Sequence, residues 1–207
     1  MAYEIDRFLK IELAKGQSAL LWGARKTGKT TLLRRLFPHS AVFDFLQTDL
    51  YLDCLKRPSL FRELVLALSA DEKQQPILVD EVQKVPAVLD EIHWLMENKG
   101  LSFVLCGSSA RKLKRGHANM LGGRAWRFEL FPFVSAEVAD MDLLRVMNQG
   151  LIPSHYLAEP QSARRFLTAY TQDYLKQEIL DEGLVRNMPA FSRFFDAVGF
   201  SHGEMIN

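Results

Sequence analysis

The sequence predicts an α/β fold: a parallel five-stranded sheet flanked by helices and followed by a short C-terminal helical segment. Two patterns lead to this prediction. Short apolar runs that suit buried strands alternate with segments of helical periodicity up to about residue 131. Beyond about Pro160 only the helical pattern remains. Strands that alternate with helices are typical of a parallel sheet with helices on both faces.

The predicted strands cover residues 18–22, 41–45, 76–81, 101–107 and 125–131. The predicted helices cover residues 30–37, two segments between 50 and 69, and residues 86–99. The last of these has Pro86 at its expected first position and Gly100 just past its end. Its apolar residues share one face: Val88, Leu89, Ile92, Leu95 and Met96. Residues 3–15 also show helical spacing. Trp22 and Trp126 lie in predicted strands, and both are expected in the core.

Gly150, Pro153 and Pro160 cluster at the expected end of the first unit. We therefore expect one domain over residues 1–155 and the start of an incomplete C-terminal domain over residues 156–207. Two helices are predicted in the second part, residues 160–182 ending at Gly183 and residues 189–198 ending at Gly199. No terminating feature is recognisable in the last residues, which suggests truncation.

Composition excludes several classes of protein. The 207 residues carry a net charge of only +1, which argues against a general nucleic-acid coat. Two cysteines without a CxxC pattern and five scattered histidines indicate neither a disulfide framework nor a metal site beyond Mg²⁺. Neither a signal peptide nor an apolar run long enough to cross a bilayer is found, so no membrane association and a cytoplasmic location are expected.

A glycine-rich loop follows the first predicted strand and opens a predicted helix. It consists of Gly23, Ala24, Arg25, Lys26, Thr27, Gly28, Lys29 and Thr30, with Thr31 next. This is the P-loop pattern, in which backbone N–H groups and the helix amino end surround phosphates. Lys29 is expected to reach the β- and γ-phosphates of ATP, and the Thr30 hydroxyl is expected to bind Mg²⁺.

An Asp-Glu pair ends the third predicted strand, where the carboxyl edge of an open α/β sheet binds ligands. Asp80 is expected to hold Mg²⁺, and Glu81 to polarise the attacking water as a general base. Guanine specificity is rejected because the segment Asn98-Lys99-Gly100-Leu101 lacks the aspartate of an Asn-Lys-x-Asp motif and lies at a helix end.

Further polar residues follow the fourth predicted strand. Ser108 or Ser109 could sense the γ-phosphate, and either could instead cap a helix. The basic residues 111–115 fit a nucleic-acid footprint, although a solvated loop explains them as well. Arg124 could stabilise the transition state from the same chain or from a neighbouring subunit.

These motifs resemble the prokaryotic AAA-type ATPases, and within them the subgroup in which a C-terminal domain of unknown function follows the ATPase domain. The resemblance covers the glycine-rich loop, the Val-Asp-Glu-Val-Gln-Lys-Val-Pro and Cys-Gly-Ser-Ser-Ala-Arg-Lys-Leu segments, Leu-Gly-Gly-Arg and Leu-Phe-Pro-Phe. It implies an ASCE-type sheet with Lys29 and Thr30 at the phosphates, Asp80 and Glu81 as metal and water acids, a sensor serine, and Arg124 as the family's arginine. It also implies that the last residues lead into a winged-helix region.

The leading hypothesis is an ATPase that couples Mg²⁺-ATP hydrolysis to a change in the C-terminal region. The second is a nucleotide-gated module for DNA or protein binding with little hydrolysis of its own. A small-molecule kinase is a distant third, because no lid rich in arginine is recognisable. ATP or ADP is the expected ligand under the first two hypotheses, and a homo-oligomer is compatible with both.

Overall fold

A computed structural model describes residues 5–14, 16–108, 120–174, 179 and 185–201, and it contains the predicted parallel sheet. The strands are β1 (Ser18–Trp22), β2 (Val42–Asp44), β3 (Ile77–Asp80), β4 (Phe103–Gly107) and β5 (Ala125–Glu129). Their order across the sheet is β2-β3-β4-β1-β5, and every pair of neighbours is parallel. The predicted fold class is therefore confirmed.

Helices connect the strands as the sequence predicts. Helix α1 (Lys29–Leu36) follows β1, α2 (Thr48–Lys56) and α3 (Ser59–Ala67) follow β2, and α4 (Val88–Lys99) follows β3. After β5 come α5 (Leu143–Gln149), α6 (Pro153–Tyr156), α7 (Pro160–Ala169) with a π-helical turn to Tyr174, and α8 (Met188–Phe200). Among the residues that the structure describes, no helix combines the length and apolar character that a bilayer-spanning helix needs.

Two apolar layers cover the sheet because successive strand residues point to opposite faces. In β1, Leu20 and Trp22 face the layer formed with α2, α3 and α4, whereas Ala19 and Leu21 face the layer that contains α1. The same alternation runs through β3 and β4. All five predicted core residues of α4 are buried, and Gly100 ends this helix with φ 62°. Burial of both faces explains why these strands read as continuous apolar runs.

The N-terminal segment is not a helix, contrary to its helix-like spacing. Residues 5–14 are irregular, and Leu9, Ile11 and Leu13 pack on the α1 layer at every second position. Tertiary contacts hold this segment. The Arg7 guanidinium donates to the Thr27 carbonyl at 2.7 Å and pairs with the Glu137 carboxylate at 3.0 Å. These bonds give partners to the Arg7 guanidinium, the Thr27 carbonyl and the Glu137 carboxylate.

Several predicted boundaries are also wrong. Helix α4 begins at Val88, because Leu89 N donates to the Pro86 carbonyl in a tight turn before the regular helix. Helices α5 and α6 were not predicted: α5 lies before the expected boundary and α6 lies within it. The Asp142 side chain caps α5 by accepting from Arg145 N. Gly199 does not end α8, which continues to Phe200.

Trp22 is buried as predicted, but the prediction that Trp126 belongs to the core is wrong. The side chain of Trp126 is 50% exposed. It lies on β5, which is an edge strand of the sheet that the described residues form, with β1 as its neighbour. The strand also carries Arg127 and Glu129, and each of its side chains is at least partly exposed.

Candidate functional site

Three predicted motifs meet at the carboxyl edge of the sheet. Trp22, which precedes the glycine-rich loop, is paired with Gly107, and Asp80 is paired with Cys106. The parallel register therefore places the loop, the Asp-Glu pair and Ser108 at the ends of three adjacent strands, β1, β3 and β4. Ligands of open α/β sheets bind at this edge.

The glycine-rich loop depends on close packing at its start and on backbone conformation at its end. A Cβ on Gly23 would lie 2.3 Å from the Leu130 carbonyl oxygen, so no larger residue fits. Gly28 has φ 91°, which favours glycine. Thr27 is fully buried, and its hydroxyl donates to the Ala24 carbonyl at 2.9 Å. These features hold the loop in a tight turn before α1.

Lys29 lies inside this turn. Its side chain is almost completely buried, and its ammonium donates to the carbonyls of Gly23 at 2.7 Å and Ala24 at 2.9 Å. Buried ammonium groups need partners of this kind, because desolvation of a charge is costly. The positive charge is thereby concentrated at the centre of the loop, where the phosphates are expected.

Thr30 and Asp80 are in direct contact across the site. The Thr30 hydroxyl donates to Asp80 Oδ2 at 2.6 Å. A hydroxyl and a carboxylate are hard oxygen donors, which Mg²⁺ prefers. This donor set therefore fits the predicted metal pair.

Asp80 has further partners that sequence reasoning missed. Its Oδ1 accepts from the Cys106 thiol at 2.7 Å and from the Glu81 backbone N–H at 2.9 Å. Burial, followed by the negative charge of Asp80, raises the pKa of Cys106 well above its usual range, so the thiol stays protonated and donates. The strand pattern identifies Cys106 only as a core residue. Its contact with Asp80 requires the β3–β4 register.

Glu81 lies at a sharp turn just past β3. Its backbone has φ 54°, a left-handed conformation that is uncommon outside glycine. The Gln83 amide donates to its Oε2, and the same amide lies 3.4 Å from Ser108 Oγ. Burial and the Asp80 charge raise the pKa of Glu81, while Lys29, the Gln83 bond and Arg25 act in the opposite direction. Ser108 is thus linked to Glu81 through the Gln83 amide, and its role as a sensor stays a prediction. Sequence reasoning missed Gln83.

Arg124 lies at the opposite edge of the sheet. Ala125 is paired with Ser18 at the start of β1, whereas Glu129 is paired with Trp22. About 15 Å of strand therefore separates Arg124 from the loop edge, at about 3.3 Å per residue. Its guanidinium pairs with Glu97 near the end of α4. This position does not fit a phosphate contact in the same chain, and a role for Arg124 in a neighbouring subunit stays a prediction.

The remaining predicted residues divide into three groups. Lys26 lies at the outside of the loop, with Nζ 5.9 Å from the centre of the Phe166 ring. Thr31 is exposed on α1 and lines a cavity of about 130 Å³ beside the loop. This cavity also contacts Gly28, and the rest of its lining is mainly apolar. Ser109 and the basic residues 111–115 lie outside the described residues.

Comparisons with known proteins concern the family and the fold. A family model described as an AAA domain matches residues 15–139. A comparison with curated proteins finds no match in sequence. The structure is similar to the Walker-type ATPase PABY2304 of Pyrococcus abyssi, with a TM-score of 0.51 and 15% identity, over 79% of this chain and 69% of that one. The ORC2 protein of Aeropyrum pernix, solved in ADPNP–ADP complexes, gives a TM-score of 0.40 and 17% identity, over 84% of this chain and 62% of that one. At these identities the structural likeness concerns the fold alone.

Proposed function

This chain belongs to the AAA domain family, and we propose that it binds ATP at the glycine-rich loop and hydrolyses it with Mg²⁺. One observation carries the proposal: Lys29, the Thr30–Asp80 pair and Glu81 converge on one edge of the sheet. Positive charge, hard oxygen donors and a carboxylate base are the groups that phosphoryl transfer to water needs.

Thr30 and Asp80 are the residues that would hold Mg²⁺. When bound, the ion would neutralise negative charge on the phosphates. Asp80 is prepared for this role because the Cys106 thiol and the Glu81 N–H fix one of its oxygens. Its other oxygen is directed to Thr30. A carboxylate held in this way loses little conformational freedom when a cation binds.

Glu81 is the proposed general base, and its environment suits that role. Burial and the neighbouring Asp80 raise its pKa, which makes the carboxylate a better proton acceptor than an exposed glutamate. The positive charges of Lys29 and Arg25 limit this shift.

We propose ATP rather than GTP as the substrate. Asn98, which begins the incomplete guanine-reading motif, donates to the Trp94 carbonyl within α4. Helix α4 ends just before β4 begins, and Asn98 therefore lies at the amino edge of the sheet. The purine base of a nucleotide bound at the glycine-rich loop would instead lie at the carboxyl edge. The small, mainly apolar cavity beside Gly28 and Thr31 offers it a surface instead.

The C-terminal region is the proposed target of the nucleotide-dependent change. Pro153 of helix α6 and Leu157, just past the end of that helix, line the cavity beside the loop, and Lys26 lies over Phe166 of α7. His155 is fully buried between Phe166 and Tyr170. Burial, followed by the Lys26 charge, lowers the pKa of His155. A shift of the loop on nucleotide binding would thus be transmitted to these helices. The division into residues 1–155 and 156–207 remains part of this proposal.

Arg124 is proposed to act in a neighbouring subunit of a homo-oligomer. Its side chain is about half exposed, and its distance from the loop of its own chain argues for this arrangement. A DNA or protein partner of the C-terminal region belongs to the same proposal, because a nucleotide-driven change needs something to act on.

The test is a Mg²⁺-ATPase assay with Glu81→Gln and with Lys29→Ala as the blank. Removal of a general base typically lowers turnover by about 10²- to 10⁴-fold. Glu81→Gln should therefore bind a fluorescent ATP analogue like the parent but hydrolyse ATP at least about 100-fold more slowly. Lys29→Ala should lose binding. Equal turnover in Glu81→Gln and the parent would refute the role of Glu81.

A further inference from the structure

Gln83 lies between two of the strand ends that form the site. It belongs to the 3₁₀ turn Val82–Lys84, which directly follows Glu81. Its amide nitrogen donates to Glu81 Oε2 and lies 3.4 Å from Ser108 Oγ. One side chain therefore touches both the proposed base, after β3, and the proposed sensor, after β4.

The orientation of this amide follows from the chemistry of its neighbour. An ionised carboxylate only accepts hydrogen bonds, so the NH₂ group of Gln83 has to face Glu81. The amide oxygen then points the other way. It is buried and has no hydrogen-bond partner among the described residues. An unpaired buried acceptor typically costs about 1–3 kcal/mol, so this arrangement is not explained by stability.

Gly107 provides the space for this amide. A Cβ at Gly107 would lie only 2.1 Å from Gln83 Oε1, and a side chain there would displace the amide from its position. Glu81 is itself in a left-handed backbone conformation, which directs its side chain back toward Gln83. Three features therefore meet at the Gln83 amide: the left-handed backbone of Glu81, the unpaired oxygen of the amide itself, and the glycine at the end of β4.

We propose that Gln83 is a positioning residue for hydrolysis, whose amide links the Glu81 carboxylate to Ser108. When Ser108 contacts the terminal phosphate, the amide holds the base in one orientation toward the attacking water. This inference rests on the proposed function. Because Gln83 acts through Glu81, its loss should lower kcat and leave KM and nucleotide affinity almost unchanged.

The principal variant is Gln83→Met, which keeps the length of the side chain but removes the amide. A misplaced catalytic group can cost about 100-fold in rate, so we expect kcat to fall by about 10- to 100-fold with KM within about 2-fold of the parent. Gln74→Met is the matched control, since Gln74 is an exposed glutamine in the loop before β3. Gly107→Ala should reproduce the loss of kcat while leaving Gln83 chemically intact.

A double-mutant cycle separates positioning from structural damage. In single-turnover experiments with excess protein, Gln83→Met should add little further loss to Glu81→Gln, because the group that it positions is already gone. Damage to the fold would instead lower the rate by the same factor in both backgrounds. Thermal unfolding and binding of a fluorescent ATP analogue are measured on every variant.

The outcomes distinguish failure of this inference from failure of the proposed function. If parent turnover depends on Glu81 but Gln83→Met retains the parent kcat, the inference is refuted and the proposed function stands. Equal losses in both backgrounds, or a loss of affinity that matches the loss of kcat, also refute it. If Glu81→Gln hydrolyses ATP like the parent, the role of Glu81 as the base is refuted and the inference fails with it. If the parent protein hydrolyses no ATP, the proposed function itself fails.

Discussion

Gly23→Ala places a methyl group where the structure has no space for one. The nearest atom is the Leu130 carbonyl oxygen, 2.3 Å from the added Cβ, and it belongs to backbone that cannot rotate away. The same backbone segment is bonded to β1, since Leu130 N donates to the Trp22 carbonyl at 2.7 Å. The substitution therefore has to separate the start of the glycine-rich loop from the segment after β5.

The loss of stability in Gly23→Ala has two contributions. Forcing extra volume into a tightly packed position typically costs about 1–3 kcal/mol, and loss of a backbone hydrogen bond adds about 1 kcal/mol. We expect a total loss of about 2–4 kcal/mol, which corresponds to roughly 5–15 °C in the midpoint of thermal unfolding for a chain of this size. Displaced loop amides should also weaken nucleotide binding by about 10- to 100-fold, since a hydrogen bond to a charged group contributes about 1.5–3 kcal/mol.

Gly100→Ala is the matched control, measured by thermal unfolding and by titration with a fluorescent ATP analogue. Gly100 has φ 62° and nothing near its Cβ position, so alanine there meets strain in the backbone but no clash. It should lose about 1 kcal/mol and bind nucleotide like the parent. If Gly23→Ala unfolds at the same temperature as this control, the steric reasoning is refuted. If it is unstable but binds with parental affinity, the loop is not the nucleotide site.

Two further predictions concern charges. Glu81→Gln should stabilise the nucleotide-free protein at pH 7–8 by about 1 kcal/mol, because it removes a charge that is desolvated by burial and repelled by Asp80; two close charges in a water-like medium repel by about this energy. The raised pKa of Glu81 means that this gain should disappear as pH falls and the parent carboxyl becomes protonated, as followed by thermal unfolding. Arg124→Ala should lower turnover by about 10³-fold, and mixing it with Lys29→Ala should restore part of the ATPase activity, because one protomer supplies the arginine and the other the intact site.

Each of these predictions has a control on the same chain. Glu12 is an exposed carboxylate of the N-terminal segment, and Glu12→Gln is the matched control for the removal of a glutamate charge. A gain for Glu81→Gln that persists at low pH would contradict the charge argument. Arg127 lies on the same strand that follows Arg124 and pairs with Glu129, and Arg127→Ala should leave turnover near the parent value. No recovery in the Arg124 and Lys29 mixture would contradict action in a neighbouring subunit.

Local patterns were sufficient for much of the fold and site. The apolar face of α4 and the strand before Asp80 follow from periodicity, which depends only on neighbouring residues. The N-terminal segment shows where this reasoning fails. Its spacing at Ile5, Phe8 and Leu9 fits a helix, yet the bonds that Arg7 makes to distant carbonyls hold it in an irregular conformation. Such long-range contacts leave no local pattern in the sequence.

The glycine-rich loop and the acidic pair after β3 can be recognised in the residue pattern alone, because both depend on residue types at short spacing. Which residues surround them was decided by the tertiary structure. The register of β3 against β4 brings Cys106 to Asp80 and Ser108 to Gln83, and the pairing of β5 with β1 carries Arg124 to the far edge. Strand order and register depend on packing across the whole sheet, so these contacts exist only once the chain has folded.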